Sequence, residues 1–590
     1  MKESIWRQMG QMAFWAIATF AVASVVPISG SAQPMSESKS AEAPMSPAQQ
    51  AYDELQSLRH KHGATIWGTQ HPSKEALQLA LGDLDAGLAR ISTPLITDLS
   101  YGSKYLAARR VDFQIDKVRV LYRLGDLKRA ARAWRELNTF VWFPTDVVGR
   151  GDSAMRAWLE SEEFSDLRKF SKTAAWLATP NSSTLSPHPL TREERIAGLS
   201  MIWSIAREYF VWFDHVPELD WDRAYLDAIA RVIDAPDESA YWRELMRFTA
   251  LLHDGHSNAY PPQSMAPQWW SRPGLGTARV ENKVLIVQVR DNALKGRVHL
   301  GDEIVSIDDE PIEDYVAKHV TPYESSSTPQ DLDVRRYGYG LLAGAENRPV
   351  VLGLRRADGT NETIQAPRSG YEAAPSAPSE SFEVRQNGLA VLVARQFESG
   401  AAQKLLETHS DELLKAKALV IDLRGNGGGS SENGFELLRW LTHKPLPALR
   451  QQVPIHDAQL KGAPIQIWQK LPDYTSPSPL ENIFKGPVAL LIDAQTFSAA
   501  EDTAAVFKLM RRGTIIGMPS GGSTGQPLMF SLPGGGTARI CAKRDSYPDG
   551  SNFVGIGVQP DVLVPMTAKS VRDGIDVAME TAELHLLRHQ

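Results

Sequence analysis

Residues Val420–Gly434 read VIDLRGNGGGSSENG, and residues Pro487–Arg512 read PVALLIDAQTFSAAEDTAAVFKLMRR. Each begins with a short continuous apolar run, too brief for a helix and bounded by Asp and Gly, which predicts a strand buried on both faces. Each then passes through a tight turn into a segment of helical pattern. Two strand–turn–helix units of this kind predict an α/β unit around a buried sheet, with any chemistry gathered at the strand ends.

The turn in the first unit is glycine-rich. Glycine permits positive φ and lets backbone amides approach a ligand with no Cβ in the way, so Gly427–Gly429 read as an anion or oxyanion site. A phosphate loop requires a Gly-Lys-Ser/Thr sequence, and no lysine follows here. A purely structural turn is the remaining reading of the glycines alone. In the second unit Ser498 stands where the helix begins, and with Glu501 it has the spacing of a capping box. Locally Ser498 reads as an N-cap.

Working outward, LAVLVARQF (Leu389–Phe397) and TIIGMP (Thr514–Pro519) add strands, giving a core over residues 380–570 followed by a C-terminal helix over 571–590. A Pro, Ala and Ser linker from Ala366 to Ser379 precedes the core. Before it, 272–366 is rich in short alternating runs (KVLIVQV, GDEIVSIDDEPI, RPVVLGLRR) and resembles a PDZ domain. That resemblance makes Gly274, Leu275 and Gly276 the substrate-binding loop, whose amides would hold a terminal carboxylate. Residues 190–265 form a helical cap subdomain carrying His256, opened by a capping box at Thr191 and Glu194. Its Trp203, Tyr209, Phe210, Trp212, Phe213, Trp221 and Trp242 read as core packing.

Residues 33–178 read as a helical N-terminal domain, with Val120, Leu121, Leu124, Leu127, Ala130, Ala131, Trp134 and Leu137 on one face and a break at Gly125 and Asp126. Residues 1–32 have the order of a secretory signal: Lys2 and Arg7, an apolar stretch from Met12 to Ile28, then Gly30, Ser31 and Ala32. An uncleaved anchor is the competing reading, because about 17 apolar residues lie at the lower limit for crossing a bilayer.

At 590 residues the chain exceeds a single core, and about three or four units are expected. A formal charge of −7, spread rather than blocked, implies no nucleic-acid partner. Cys541 is the one cysteine, so no intrachain disulfide forms, and its apolar setting reads as a buried, inert thiol.

Taken together, DLRGNGGG, the S-A-A-E helix start, IIGMPSGGSTGQP, GIGVQPDV and LLHDGHS resemble the tail-specific, or C-terminal processing, serine protease family, over about Thr191 to Met566. The first helical region lies outside that resemblance. It implies Ser498 as nucleophile, with Gly427, Gly428 and the amide of Ala499 around the oxyanion. Members with a Ser/Lys dyad carry lysine in a Phe-Gly-Lys-Gly turn. Here that turn reads Gly521, Gly522, Ser523, Thr524, Gly525, with no lysine. The tricorn-like branch uses histidine from the preceding helical unit, and His256 has the matching position; His253 reads as surface or packing. That branch places a glutamate where Gly555 stands, so Asp545 is the substitute for the acid orienting the base. Glu501 is an alternative whose capping role already explains it, and Asp549 reads as part of a Pro-Asp-Gly turn.

The expectation is therefore a multidomain α/β protein: an α/β peptidase core, a PDZ-like β domain and helical N-terminal domains. Its function would be that of an exported serine peptidase, periplasmic or extracellular, hydrolysing peptides or unfolded protein termini through an acyl-enzyme on Ser498. No cofactor and no metal are implied, since His253, Asp254 and His256 are too compact a cluster and lack a further ligand. No stable membrane insertion is expected after signal cleavage, and the oligomeric state is left open. The rival from another class is a non-catalytic binding protein on the same scaffold. An esterase shares the chemistry but lacks its Gly-x-Ser-x-Gly elbow here.

Overall fold

The computed structural model describes residues 47–68, 72–91, 101–137, 148–165, 167, 189–368, 379–455, 467–471 and 480–587. The signal expected over 1–32 lies outside the described residues. No described helix is long and apolar enough to cross a membrane.

The chain divides into two compact units. One holds the helices α1 (Pro47–Trp67), α2 (Lys74–Arg90), α3 (Tyr101–Arg123), α4 (Leu127–Leu137) and α5 (Ser153–Leu159). Leu55, Leu84, Phe113, Leu121, Trp134 and Leu137 form its core. The break between α3 and α4 falls at Gly125, whose φ of 77° only glycine adopts without strain. Asp116 sits wholly buried inside this unit, where it accepts from Arg59 Nε and Trp67 Nε1, each at 2.8 Å.

The other unit opens with α6 (Arg192–Tyr209), α7 (Trp221–Ile233) and α8 (Glu238–Ala250). The Thr191–Glu194 capping box forms in full, each side chain meeting the other's amide. Strand β1 (Asn258–Tyr260) follows α8. A β domain comes next: β2 (Leu275–Val280), β3 (Lys283–Val289), β4 (Glu303–Ile307), α9 (Ile312–His319), β5 (Val350–Arg355) and β6 (Asn361–Ala366). The five strands lie in that order in an antiparallel sheet. Val316 on α9 joins Ile286, Ile304, Leu352 and Ile364 in its core.

The central sheet takes β7 (Glu380–Val384), β8 (Leu389–Ala394), β9 (Ala418–Asp422), β12 (Val488–Ile492), β13 (Thr514–Gly517) and β17 (Val562–Leu563) in chain order across its width. All neighbours are parallel except β7 and β8. Every residue of β9 and β12 is buried, which accounts for their unbroken apolar runs. Helices α10 (Ser431–Arg439) and α11 (Ala499–Met510) pack together after β9 and β12. Val391, Val420, Leu491 and Ile516 pack against Ala582 and Leu586 of the C-terminal helix.

Four further strand pairings tie this unit together. Strands β10 (Arg450–Ile455), β11 (Ile467–Lys470) and β16 (Arg544–Ser546) form a small sheet ordered β11-β10-β16. Strands β14 (Pro527–Ser531) and β15 (Thr537–Cys541) form a hairpin, and β1 adds to its edge with Asn258 opposite Arg539. That last pairing delivers His256, two residues before β1, to the core.

The chain end differs from the sequence expectation of one helix over 571–590. Two helices form, α12 (Ala568–Asp573) and α13 (Val577–Leu587), because Gly574 takes the left-handed conformation and terminates the first.

Candidate active site

Strands β9 and β12 are parallel neighbours with Asp422 opposite Leu491, so the turns that follow them emerge side by side. The two turns are fastened to each other. Thr496 Oγ1 donates to the Leu423 carbonyl at 2.9 Å, Asp493 Oδ1 accepts from the Gly425 amide at 3.0 Å, and the Phe497 amide donates to the Asn426 carbonyl at 2.9 Å. Asn426 is completely buried, and its side chain bridges the Ala394 carbonyl and the Gly428 amide.

This clamp sets Ser498 against the glycine run. A Cβ on Gly428 would lie 2.8 Å from Ser498 Cβ and 3.1 Å from the Ala499 nitrogen, so only glycine allows this approach, and its φ of 101° excludes other residues independently. Ser498 is itself strained, at φ 56° and ψ −126°. Its side chain makes no capping bond. The capping box that Ser498 and Glu501 spell in sequence therefore does not form, and the hydroxyl is left for another partner.

That partner is His256. Its Nε2 lies 3.1 Å from Ser498 Oγ, across a sequence gap that no local pattern reports. The imidazole is buried and stacks on Phe497 with ring centroids 4.8 Å apart. Gly255 makes room for the stack, because a Cβ there would meet Phe497 Cζ at 2.8 Å and Ser523 Oγ at 2.9 Å. Asp254 shapes the loop: its Oδ1 accepts from the His256 amide at 3.0 Å and from Ser257 Oγ at 2.8 Å. His253 is exposed, at φ 47°.

On the far side of the ring, His256 Nδ1 meets the hydroxyl of Ser523 at 2.8 Å. Asp545 does not take this place. It is buried in an ion pair with Lys543 at 2.9 Å and accepts from Gln451 Nε2 at 3.0 Å, because β16 pairs with β10 and turns it into that small sheet. Glu501 is not a cap either. Its Oε1 accepts from Ser520 Oγ at 2.5 Å and the Gly522 amide at 2.6 Å, and its Oε2 from the Ser523 amide at 2.7 Å. Burial pushes its carboxyl up, to about 8, while those three donors pull the other way. Asp549 bonds within its own turn to Ser551.

Burial holds the His256 pKa well below its usual value, and the charges of Arg539, Arg335 and Lys543 push it further down. The imidazole is thus neutral and able to accept a proton. Toward the oxyanion side, the amides of Ala499 and Gly427 have no partner among the described residues, and Gly427 is exposed. The Gly428 amide differs from the expectation. It donates to Asn426 Oδ1 at 2.9 Å and serves the turn.

The loops are also held from the β domain. Between α9 and β5, Ser325 Oγ accepts from the Asp254 amide at 3.1 Å and Ser327 Oγ from the Gly255 amide at 3.0 Å. Thr328 Oγ1 donates to the Gly521 carbonyl at 2.6 Å and Gln330 Nε2 to the Ser520 carbonyl at 3.0 Å. Within the β domain, Gly274 and Leu275 are buried and Gly276 packs on Gln288. The Leu275 amide donates to the Pro273 carbonyl at 2.7 Å, so one of the amides expected to receive a carboxylate is already engaged.

Sequence reasoning missed Asn426, Asp254 and Ser520 as supports. An asparagine inside a glycine run was the one available signal among them.

A strained serine, a buried imidazole at its hydroxyl and two amides without a partner among the described residues are the parts from which a serine-nucleophile site is built. Residues 388–564 match the family model described as Peptidase family S41. A carboxy-terminal-processing protease of Bartonella bacilliformis is 26% identical over 170 residues, covering 29% of this chain and 36% of the relative. Carboxyl-terminal-processing peptidase 2, chloroplastic, of Arabidopsis thaliana is 23% identical over 266 residues, covering 45% of this chain and 46% of the relative. The chain thus spans less than half the length of either. The crystal structure of a CPAF mutant aligns with a TM-score of 0.53 at 15% identity, covering 66% of this chain and 96% of that one, which is a likeness of fold.

Proposed function

We propose that this protein is a serine peptidase that hydrolyses peptides or unfolded protein termini through an acyl-enzyme on Ser498, with His256 as general base. The observation that carries the reading is the 3.1 Å contact between His256 Nε2 and Ser498 Oγ at a backbone strained in the way nucleophile turns are.

In the reaction, Ser498 Oγ attacks the scissile carbonyl while its proton passes to His256 Nε2. The new oxyanion is received by the amides of Ala499 and Gly427, each such donor lowering the barrier by about 3 kcal/mol. The imidazolium then returns the proton to the leaving amine, and water releases the acyl group by the same route in reverse. A hydroxyl without an adjacent base is a weak nucleophile near neutrality, so the absence of a lysine from the 521–525 turn is met by the imidazole.

The β domain is proposed as a PDZ-like module for peptide ends, on its Gly274–Gly276 loop and strand order. The leader over 1–32 supports export, with a mature chain beginning near Gln33, a start that N-terminal sequencing of exported protein reads directly. A non-catalytic binding protein is not favoured, because it has no use for a strained serine held against a base.

Labelling with a fluorophosphonate probe, followed by mapping of the modified peptide, tests the assignment. Label on Ser498, and loss of peptidase turnover in a folded Ser498→Ala chain, are the expected results. Full turnover in that folded variant removes Ser498 from the mechanism.

A further inference from the structure

An imidazole that accepts a proton at Nε2 must carry its own proton at Nδ1, and something must hold that N–H in place. In the Ser–His–Asp arrangement an acid does this, fixing the tautomer and stabilising the imidazolium. Here no carboxylate oxygen among the described residues hydrogen-bonds to either ring nitrogen. The Nδ1 partner is the hydroxyl of Ser523, completely buried and 2.8 Å away.

We propose that Ser523 is the positioning residue for His256, so that the site runs Ser498–His256–Ser523, with the Glu501 carboxyl one step further back, acting through the backbone of the 520–523 turn. The inference rests on the peptidase reading of Ser498 and His256.

The backbone explains how a lone hydroxyl is held for this task. The Ser523 amide donates to Glu501 Oε2 at 2.7 Å, and the Ser523 carbonyl accepts from the Ser498 amide at 3.1 Å. Glu501 lies on α11, one turn after Ser498. The helix that presents the nucleophile therefore also fixes the residue that orients the base. Ser520 and Gly522 donate to the same carboxyl, so the turn in which dyad members would carry lysine is here a rigid cradle for one hydroxyl.

No proton moves to Ser523. On attack, the Ser498 proton goes to His256 Nε2, the Oγ–carbon bond forms, and the carbonyl π pair moves onto the oxyanion. The Nδ1 proton stays on the ring and is shared with the Ser523 lone pair. A hydroxyl dipole supports the imidazolium less than an anion does. The charges acting on the ring are Arg539 on β15, Arg335 between α9 and β5 and Lys543 after β15, while Asp254 holds the His256 amide and Glu501 the Ser523 amide. The three cations act against protonation of the ring.

The test is the rate at which Ser498 is labelled by a fluorophosphonate across pH, in the full chain and in Ser523→Ala and Ser523→Cys, under reducing conditions and with melting curves alongside. Cysteine keeps the volume but accepts hydrogen bonds weakly, so it decides the matter if the alanine chain does not fold. Both variants are expected to lower the plateau rate about 10- to 100-fold, as loss of a hydrogen bond to a charged group supports. Both should also move the acid limb to lower pH, because the imidazolium has lost a partner. A plateau and limb equal to wild type overturn the inference, and so does a lower plateau with the limb unmoved, which is the mark of a merely structural residue. A wild-type chain whose Ser498 takes no label overturns the peptidase reading itself and this inference with it.

Discussion

The amide of Ser498 donates to the carbonyl of Ser523 at 3.1 Å, so the nucleophile and the hydroxyl on the opposite side of His256 are joined by one backbone bond. The imidazole is held between them, 3.1 Å from the first hydroxyl and 2.8 Å from the second. Movement of the 520–523 turn would disturb both contacts at once. This coupling makes the site sensitive to residues that never touch substrate.

His256→Ala should lower the rate of Ser498 acylation by about 10²- to 10⁴-fold, the usual value of a general base. Lys508→Ala should leave that rate unchanged, since Lys508 Nζ donates to the Gln559 carbonyl on the far flank of α11. Lys543→Ala should act chiefly on stability, costing about 3–5 kcal/mol by leaving Asp545 buried without its cation, and should also move the acid limb upward because one cation near the ring is gone. Stopped-flow acylation and chemical denaturation on the same preparations separate the effects. Normal acylation in a folded His256→Ala chain would mean another base.

The pH dependence follows from the charge around the ring. The neutral imidazole is the active form, and its pKa is held well below 6.5 by burial and by Arg539, Arg335 and Lys543. Activity should therefore persist below pH 6.5 and fall only as pH drops through the depressed value. Arg539→Gln removes one of those cations and should move the acid limb upward. Asp545→Asn should leave the limb in place, because Asp545 does not reach the ring. A kcat/KM profile for each variant reads the shifts, and a limb displaced by Asp545→Asn contradicts the geometry.

Gly428→Ala should nearly abolish turnover. The added Cβ would lie 2.8 Å from Ser498 Cβ and 3.1 Å from the Ala499 nitrogen, displacing a donor worth about 10²- to 10³-fold in rate. Crystallography of the variant, with a turnover assay, checks whether the loss comes with a shifted Ser498.

Glu501 offers a stability measurement independent of catalysis. Its folded pKa of about 8 lies above the ordinary 4.5, so the folded state holds a proton that the unfolded state releases. Stability from this group is full below pH 4.5 and declines as pH rises through about 8. Glu501→Gln cannot titrate. The difference in Tm between Gln variant and wild type should shift in favour of the variant as pH increases across that window, on top of a constant offset from altered hydrogen bonds. A difference independent of pH would show that Glu501 does not change protonation on folding.

Strand identity in the central sheet was legible from the chain alone, because strands buried on both faces must be apolar throughout, as β9 and β12 are. The glycine turn was legible too, since the φ of Gly428 admits no other residue without strain. The contrast between two capping boxes marks where such reading stops. Thr191 and Glu194 meet through bonds three residues apart, and the motif forms as spelled. Ser498 and Glu501 have the same spacing, yet Glu501 turns to Ser520, Gly522 and Ser523, because buried amides and a hydroxyl there would otherwise lack an acceptor. Likewise the sequence offered Asp545, with Glu501 as an alternative, as the group orienting His256, and marked Ser523 only as a residue of the turn that lacks a lysine. The chain itself determined the sheet strands and the glycine turn, which depend on local backbone and on burial. Only the tertiary structure decided the partner of the imidazole, because Ser523 is 267 residues from His256 and reaches it through the pairing of β1 with the β14–β15 hairpin and the bonds that Ser325, Ser327 and Thr328 make to the two loops.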